Sequence, residues 1–295
     1  MHKYMRSIGF SQFKNFKEEQ KLITDIIVNA PKRGYTSLSD NIIIASFSRE
    51  FAPGVGISVV GQFDEDDQFT YSYYYPYVES TCISSEEDIS VDRHAATDSY
   101  AGVIDDSRTG VSIIFYLQNM IPYINAVRTD MLPMTGTTLS LSALSDGGTI
   151  LMPLKKTVKD VYTNQQVQKS RSMLINAAKA GDDEAMENLT LKDMDTYTTI
   201  AQRIQTDDVF TLVDTYFMPY GVECDIYAIL GEITEVTELK NSVTGEELYK
   251  MSLVCNDIEM TLCVNKKDVY GQPEVGRRYK GTIWLQGHIN YPMSS

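Results

Sequence analysis

Five residues between positions 92 and 106 carry groups that could hold a metal ion: Asp92, His94, Asp98, Asp105 and Asp106. Carboxylates with one imidazole are ligands for divalent cations, and a bound cation lowers the pKa of its water for hydrolysis. An aspartate beside His94 is also a pair that can move protons in acid–base catalysis. The spacing repeats no known ligand signature, and acidic loops are commonly solvated surface. A plain solvated loop therefore stands beside the metal-dependent hydrolase as a reading of this segment.

A second set combines cations with aromatic rings: Lys266, Lys267, Arg277, Arg278, Tyr279, Lys280 and Trp284. Single-stranded nucleic acid is held by cationic grooves with aromatic stacking platforms, so this set is a candidate nucleic-acid surface. Trp284 lies between Ile283 and Leu285, however, and fits equally well as core filling. Charges on an exposed strand also protect its edge against association. No phosphate-binding glycine loop, nucleophile elbow or zinc-protease helix is present. Gly54-Val-Gly56 is too short to cradle a phosphate, and Cys224 sits between Glu223 and Asp225, the wrong field for a reactive thiolate.

These groups belong to a chain of 295 residues with a formal net charge of -14. Such a charge repels polyanions over long range and argues against duplex DNA as the partner. From Gly61 to Gly110 there are twelve Asp and Glu against two Arg. Cys82, Cys224, Cys255 and Cys263 are widely spaced and form no C-x-x-C pair, which points to reduced thiols in a cytoplasmic protein. The start of the sequence leads into polar residues and not an apolar signal region. Residues 110–127 are uncharged, but Gln118, Asn119, Pro122 and Asn125 make a buried strand followed by a short helix or turn a better reading than a membrane span.

The elements that would position these residues follow from periodicity and turn chemistry. Ser11 could cap a helix running to Asn29, closed by Pro31 and Gly34. Residues 41–51, 55–63 and 69–78 read as strands, separated by Ala52-Pro-Gly and the acidic turn 64–67. Residues 79–109 read as an irregular loop, and 111–117 as a buried strand. Residues 137–144 and 149–154 suggest a hairpin across Ser145-Asp-Gly-Gly148. Helical composition follows over 165–180, 184–189, 191–204 and 206–217, with Gly181 ending one helix and Asp182 or Asp183 capping the next. Residues 226–239, 248–255, 258–264 and 277–291 read as strands. Three paired strands, a crossing loop and one long glycine-bent strand are what a small closed barrel needs.

Several phrases are also similar to a known family. Met1-His-Lys-Tyr-Met-Arg-Ser-Ile-Gly-Phe-Ser, Gly110-Val-Ser-Ile-Ile-Phe-Tyr-Leu-Gln-Asn, Asp214-Thr-Tyr-Phe-Met-Pro-Tyr-Gly-Val-Glu-Cys-Asp and Gly276-Arg-Arg-Tyr-Lys-Gly-Thr-Ile-Trp-Leu-Gln-Gly resemble an uncharacterised bacterial family, a domain of unknown function from anaerobic Gram-positive bacteria. The resemblance covers the whole chain. It implies a bacterial cytoplasmic setting and brings no activity, cofactor or site residue.

The expected fold class is α+β: an N-terminal antiparallel-sheet domain with a helix over 1–158, a helical connector over 159–221, and a small all-β barrel over 222–295 resembling the oligonucleotide/oligosaccharide-binding (OB) fold. Without a catalytic signature, the expected function is that of a non-enzymatic interaction or ligand-binding protein. Its partner would be a protein or small ligand rather than nucleic acid or membrane. A metal-dependent hydrolase and a single-strand nucleic-acid binder are the alternatives.

Overall fold

In the computed structural model, residues 2–292 are described except 14, 40–41, 94–98, 107, 109–110, 132–135, 155–169, 171–172, 176, 179–180, 189–190 and 192–212. Lys3–Ile8 forms a 3-10 turn ended by Gly9 at φ 91, a left-handed conformation open to a residue without a β-carbon. Helix α1 (Phe16–Asn29) then starts at Asn15 and not at Ser11. The Ser11 hydroxyl is used elsewhere and donates to Glu246 Oε1 at 2.7 Å.

Strands β1 (Lys32–Ser39), β2 (Ile42–Ala52), β3 (Val55–Phe63) and β4 (Phe69–Val78) form an antiparallel sheet in sequence order. The last three fall where alternation and turns put them. β1 is additional: Pro31 and Gly34 obscure it, and Gly34 faces a tight space where a β-carbon would lie 3.0 Å from Ser46 Oγ. Cross-strand register puts Tyr35, Ile43, Phe47 and Phe63 on one face. That face receives α1, which packs on β2 and β3 through buried Ile23 and Ile26. Gly34, Ser46, Ser48, Val60 and Tyr75 point to the other face.

Residues 79–109 are not one irregular loop. They contain β5 (Ile89–Arg93) paired with β6 (Tyr100–Asp106), which pairs in turn with β7 (Val111–Leu117). The acid-rich composition hid a strand whose buried positions include Tyr100, Ile104 and Asp106. Helix α2 (Met120–Arg128) follows β7 and packs on β1 and β2. The expected hairpin at Ser145–Gly148 is also absent: β8 (Thr138–Leu151) runs through it as one strand. Gly148 makes room for a ring, since its β-carbon would lie 2.4 Å from Tyr279 Cζ. The glycine signal came from close packing and not from a turn.

The connector contains described helical residues at 170, 173–175, 177–178, 183–188 and 191. Gly181 is left-handed, and Asp182 Oδ1 caps the following turn by accepting from the N–H groups of Glu184 and Ala185. Most of the expected helix over 191–204 lies outside the described residues, as does the start of the one over 206–217. Its end is corrected, because β9 (Tyr216–Pro219) is a strand paired with the following β10.

The barrel comprises β8, β10 (Ile226–Lys240), β11 (Glu247–Cys255), β12 (Ile258–Asn265) and β14 (Arg278–Asn290), with the short β13 (Val269–Tyr270) beside β8. The order is β8-β12-β11-β10-β14, closed by antiparallel pairing of β14 with β8. β12 and β8 are parallel, and the other barrel pairs are antiparallel. Read from β10, this is the order of an OB barrel whose last strand has been moved to the front of the chain. The α+β class with a closed five-stranded barrel therefore stands, while the boundary at 222 does not follow the sheet: the closing strand comes from before residue 158. β7 joins the barrel through a parallel pairing with β14 and carries β6 and β5 outward. One cluster of buried apolar residues runs from α1 and the four-stranded sheet into the barrel. Among the described residues, no helix is long and apolar enough to cross a membrane.

Candidate functional site

A cleft of about 290 Å³ opens between the four-stranded sheet and the start of α2. Its floor is Ser46 and Ser48 of β2, Val60 of β3 and Tyr75 of β4. These side chains share a face because of strand register, and the serines leave space that larger residues would fill. Gln118 to Pro122 form the opposite wall, and Lys32 and Arg33 stand at the mouth.

A polar network fixes the two walls against each other. The Tyr75 hydroxyl donates to the Gln118 carbonyl at 2.7 Å. Burial pushes this phenol up to about 12, with a hydrogen bond to Ser58 acting the other way. Gln118 Nε2 lies 2.8 Å from Gln286 Oε1, 3.0 Å from the Val78 carbonyl and 3.1 Å from Ser142 Oγ. The buried Gln286 amide donates in turn to the Pro76 carbonyl at 2.9 Å. Asn119 acts as a substitute strand neighbour, donating to the Ile289 carbonyl and accepting from its N–H.

The cations at the mouth are already engaged. Lys32 Nζ lies 2.8 Å from both Glu50 and Glu79. Arg33 donates to the Val28 and Ala30 carbonyls at the end of α1. A wider, open concavity of about 680 Å³ adjoins this mouth, and its charges are internally matched through the Arg49–Asp25 and Lys32–Glu50 pairs.

The structure separates those expected metal ligands that lie among the described residues. Asp92 is paired with Ala101, so Asp105 lies about 13 Å further along the neighbouring strand. Asp105 and Asp106 point to opposite faces of β6. Asp105 accepts from the Ser112 hydroxyl. Asp106 is buried and holds Arg108, whose guanidinium also reaches the Ser84 and Asp257 carbonyls. Burial alone would raise the Asp106 carboxyl, but the hydrogen bonds and charge of Arg108 outweigh it and hold the group below its usual range. His94 and Asp98 lie outside the described residues. Among the described residues, no group of three or more His, Cys, Asp or Glu is placed to hold a metal ion.

The cationic and aromatic set does not form a stacking platform. Tyr279 is fully buried, and its hydroxyl donates to Ser145 Oγ at 2.8 Å. Trp284 is buried with its Nε1 donating to Asp225, and the Tyr4 ring is stacked on it at 5.4 Å. Lys266 pairs with Glu238 and Glu247, Lys267 with Glu246, and Arg277 with Glu274. Arg278 is buried and donates to the Met152 and Val213 carbonyls, while Lys280 is half-buried on β14. Arg278, Tyr279, Lys280 and Trp284 lie on β14, Lys266 and Lys267 in a separate 3-10 turn, and both rings are buried.

The cleft residues carried no sequence signal of their own, apart from Gln118 and Asn119, two amides that end the most apolar strand. The family model described as "Domain of unknown function, E. rectale Gene description (DUF3881)" matches residues 5–287. The chain belongs to this family. The match takes in the sheet, the cleft and the barrel up to Gly287, so the cleft is part of the family domain. No curated protein and no solved structure matches the chain.

Proposed function

We propose that this DUF3881 domain is a non-enzymatic binding protein of the bacterial cytoplasm, and that a small polar ligand occupies the cleft between the four-stranded sheet and α2. The observation that carries this reading is the pre-formed cleft, with the Ser46 and Ser48 side chains in its floor and Val60 and Tyr75 beside them. Its volume is at the lower end for small-molecule sites, which are typically about 300–1,000 Å³. Because Lys32 and Arg33 are engaged with protein groups, the site favours an uncharged ligand with hydroxyl or amide groups over an anion. The cytoplasmic setting is supported by four unpaired cysteines, Cys82, Cys224, Cys255 and Cys263.

The test is a thermal-shift screen of small neutral metabolites, followed by calorimetric titration of each hit. Ser46→Phe fills the floor of the cleft and is expected to abolish binding while leaving the unfolding midpoint within a few degrees of wild type. Hits that bind Ser46→Phe with unchanged affinity place the ligand elsewhere and reject the cleft as its site.

A further inference from the structure

The face of the four-stranded sheet opposite the cleft is only partly covered. α1 packs over one end, where Asp25 pairs with Arg49 and Glu19 accepts from the Tyr74 hydroxyl. Beyond α1, two rows of side chains cross the sheet. Register aligns Tyr35, Ala45, Gly61 and Tyr71 in one row, and Ser37, Ile43, Phe63 and Phe69 in the next. Three of their rings form a connected chain, Tyr35 lying 6.4 Å from Phe63 and Phe63 5.2 Å from Phe69, and Phe69 rests 5.1 Å from the buried Phe47. Tyr35 on β1, Ile43 on β2 and Tyr71 on β4 remain 48%, 42% and 36% exposed on this one sheet face.

The surface has an electrostatic sign. The β3–β4 turn, Asp64-Glu65-Asp66-Asp67, follows Phe63 directly and is exposed throughout. It is a built turn, because Asp64 Oδ1 accepts from the N–H groups of Asp66 and Gln68. Four strands spaced about 4.8 Å apart make a surface about 14 Å wide, and two rows extend it about 7 Å along the strands. That footprint suits two to three turns of helix beside α1.

We propose that this face docks a basic amphipathic helix of a partner protein, with its apolar stripe on Tyr35, Ile43, Phe63, Phe69 and Tyr71 and its cations over Asp66 and Asp67. The occupant is argued from charge complementarity: an anionic rim on a protein of net charge -14 selects cations and repels nucleic acid and acidic lipid. The inference does not depend on the cleft, which lies on the other side of the sheet.

The probe is a fluorescent 18-residue peptide with leucine at helical i, i+3, i+4, i+7 spacing and lysine elsewhere. A peptide of the same composition with its leucines scattered controls for simple charge attraction. The striped peptide is expected to bind the full chain at least tenfold more tightly than the scattered one, by fluorescence anisotropy. Tyr35→Thr with Ile43→Thr keeps strand-forming residues and is expected to weaken binding about tenfold at both low and high salt. Asp66→Lys with Asp67→Asn leaves the Asp64 turn bonds in place and tolerates the φ of 56 at position 67. It is expected to weaken binding about tenfold at low salt and little at high salt. Equal binding of both peptides overturns the proposal. So does unchanged binding in either variant, or a concentration-dependent dimer that buries the face against a second copy. The turn variant lies outside the core and provides the test even where the face variant loses its fold.

Discussion

Asp106 shows how an apparent ligand is identified as a structural residue. It is buried on β6, its Oδ1 accepts from Arg108 Nε and from the Arg108 N–H at 2.9 Å each, and Arg108 goes on to fasten the Ser84 and Asp257 carbonyls. One ion pair therefore ties the end of β6 to the segment before β5 and to the β11–β12 turn. Hydrogen bonds to charged groups contribute about 1.5–3 kcal/mol, so Asp106→Asn is expected to lose about 2 kcal/mol at pH 7. The carboxyl is held below its unfolded pKa, so its contribution is complete above that value. It is lost as pH falls through the folded one. Urea unfolding of wild type and Asp106→Asn should therefore differ by about 2 kcal/mol at pH 7, and the gap should narrow below about pH 4. A gap of constant size from pH 7 to pH 3 would show that the carboxylate charge is not what stabilises this junction.

Between elements, the decisive contacts are amides. Gln118 at the end of β7 and Gln286 on β14 are hydrogen-bonded to each other, and each reaches a backbone carbonyl of β4. They hold the sheet against the barrel and so set the width of the cleft. Gln118→Leu leaves the buried Gln286 Oε1 without its donor, Gln286→Leu leaves the Pro76 carbonyl without the donor it has here, and each is expected to cost about 2 kcal/mol. The double variant removes both polar groups, so it should cost at least about 1 kcal/mol less than the sum. Strict additivity in a urea-unfolding cycle would disprove the coupling. Little of this was legible in the sequence. Alternation and turn residues marked β2, β3, β4, β7, β10, β11, β12 and β14, because each has a buried stripe and a polar boundary. β1, β5 and β6 were masked by Gly34, by the exposed Asp92 and Asp105, and by the buried Asp106. The cleft was invisible because Gly34, Ser46 and Ser48 become a site only when register lines them up opposite α2.

At the scale of the whole molecule, the barrel is assembled from distant parts of the chain. β8 precedes the connector, yet it lies between β12 and β14 and closes the sheet. Without it, β12 and β14 would each present an open edge, a state that favours association over folding. The fragment 222–295 is therefore expected not to unfold cooperatively. The register also suggests how to restore it. Asn290 at the end of β14 pairs with Thr138 at the start of β8, so a hairpin turn of about four residues could join them. A rearranged chain of residues 213–292, such a turn and residues 137–154 would contain all five barrel strands in ordinary OB order. The 3-10 turn over Lys3–Ile8 packs on β8 and β12 from outside, adding cover without adding a strand. The rearranged chain is expected to show a single denaturant transition by far-ultraviolet circular dichroism, with protected amides in β10, β11 and β12. Cooperative folding of 222–295 alone would mean that β8 is dispensable. Failure of the rearranged chain alongside it would mean that the four-stranded sheet, and not strand closure, holds the barrel together.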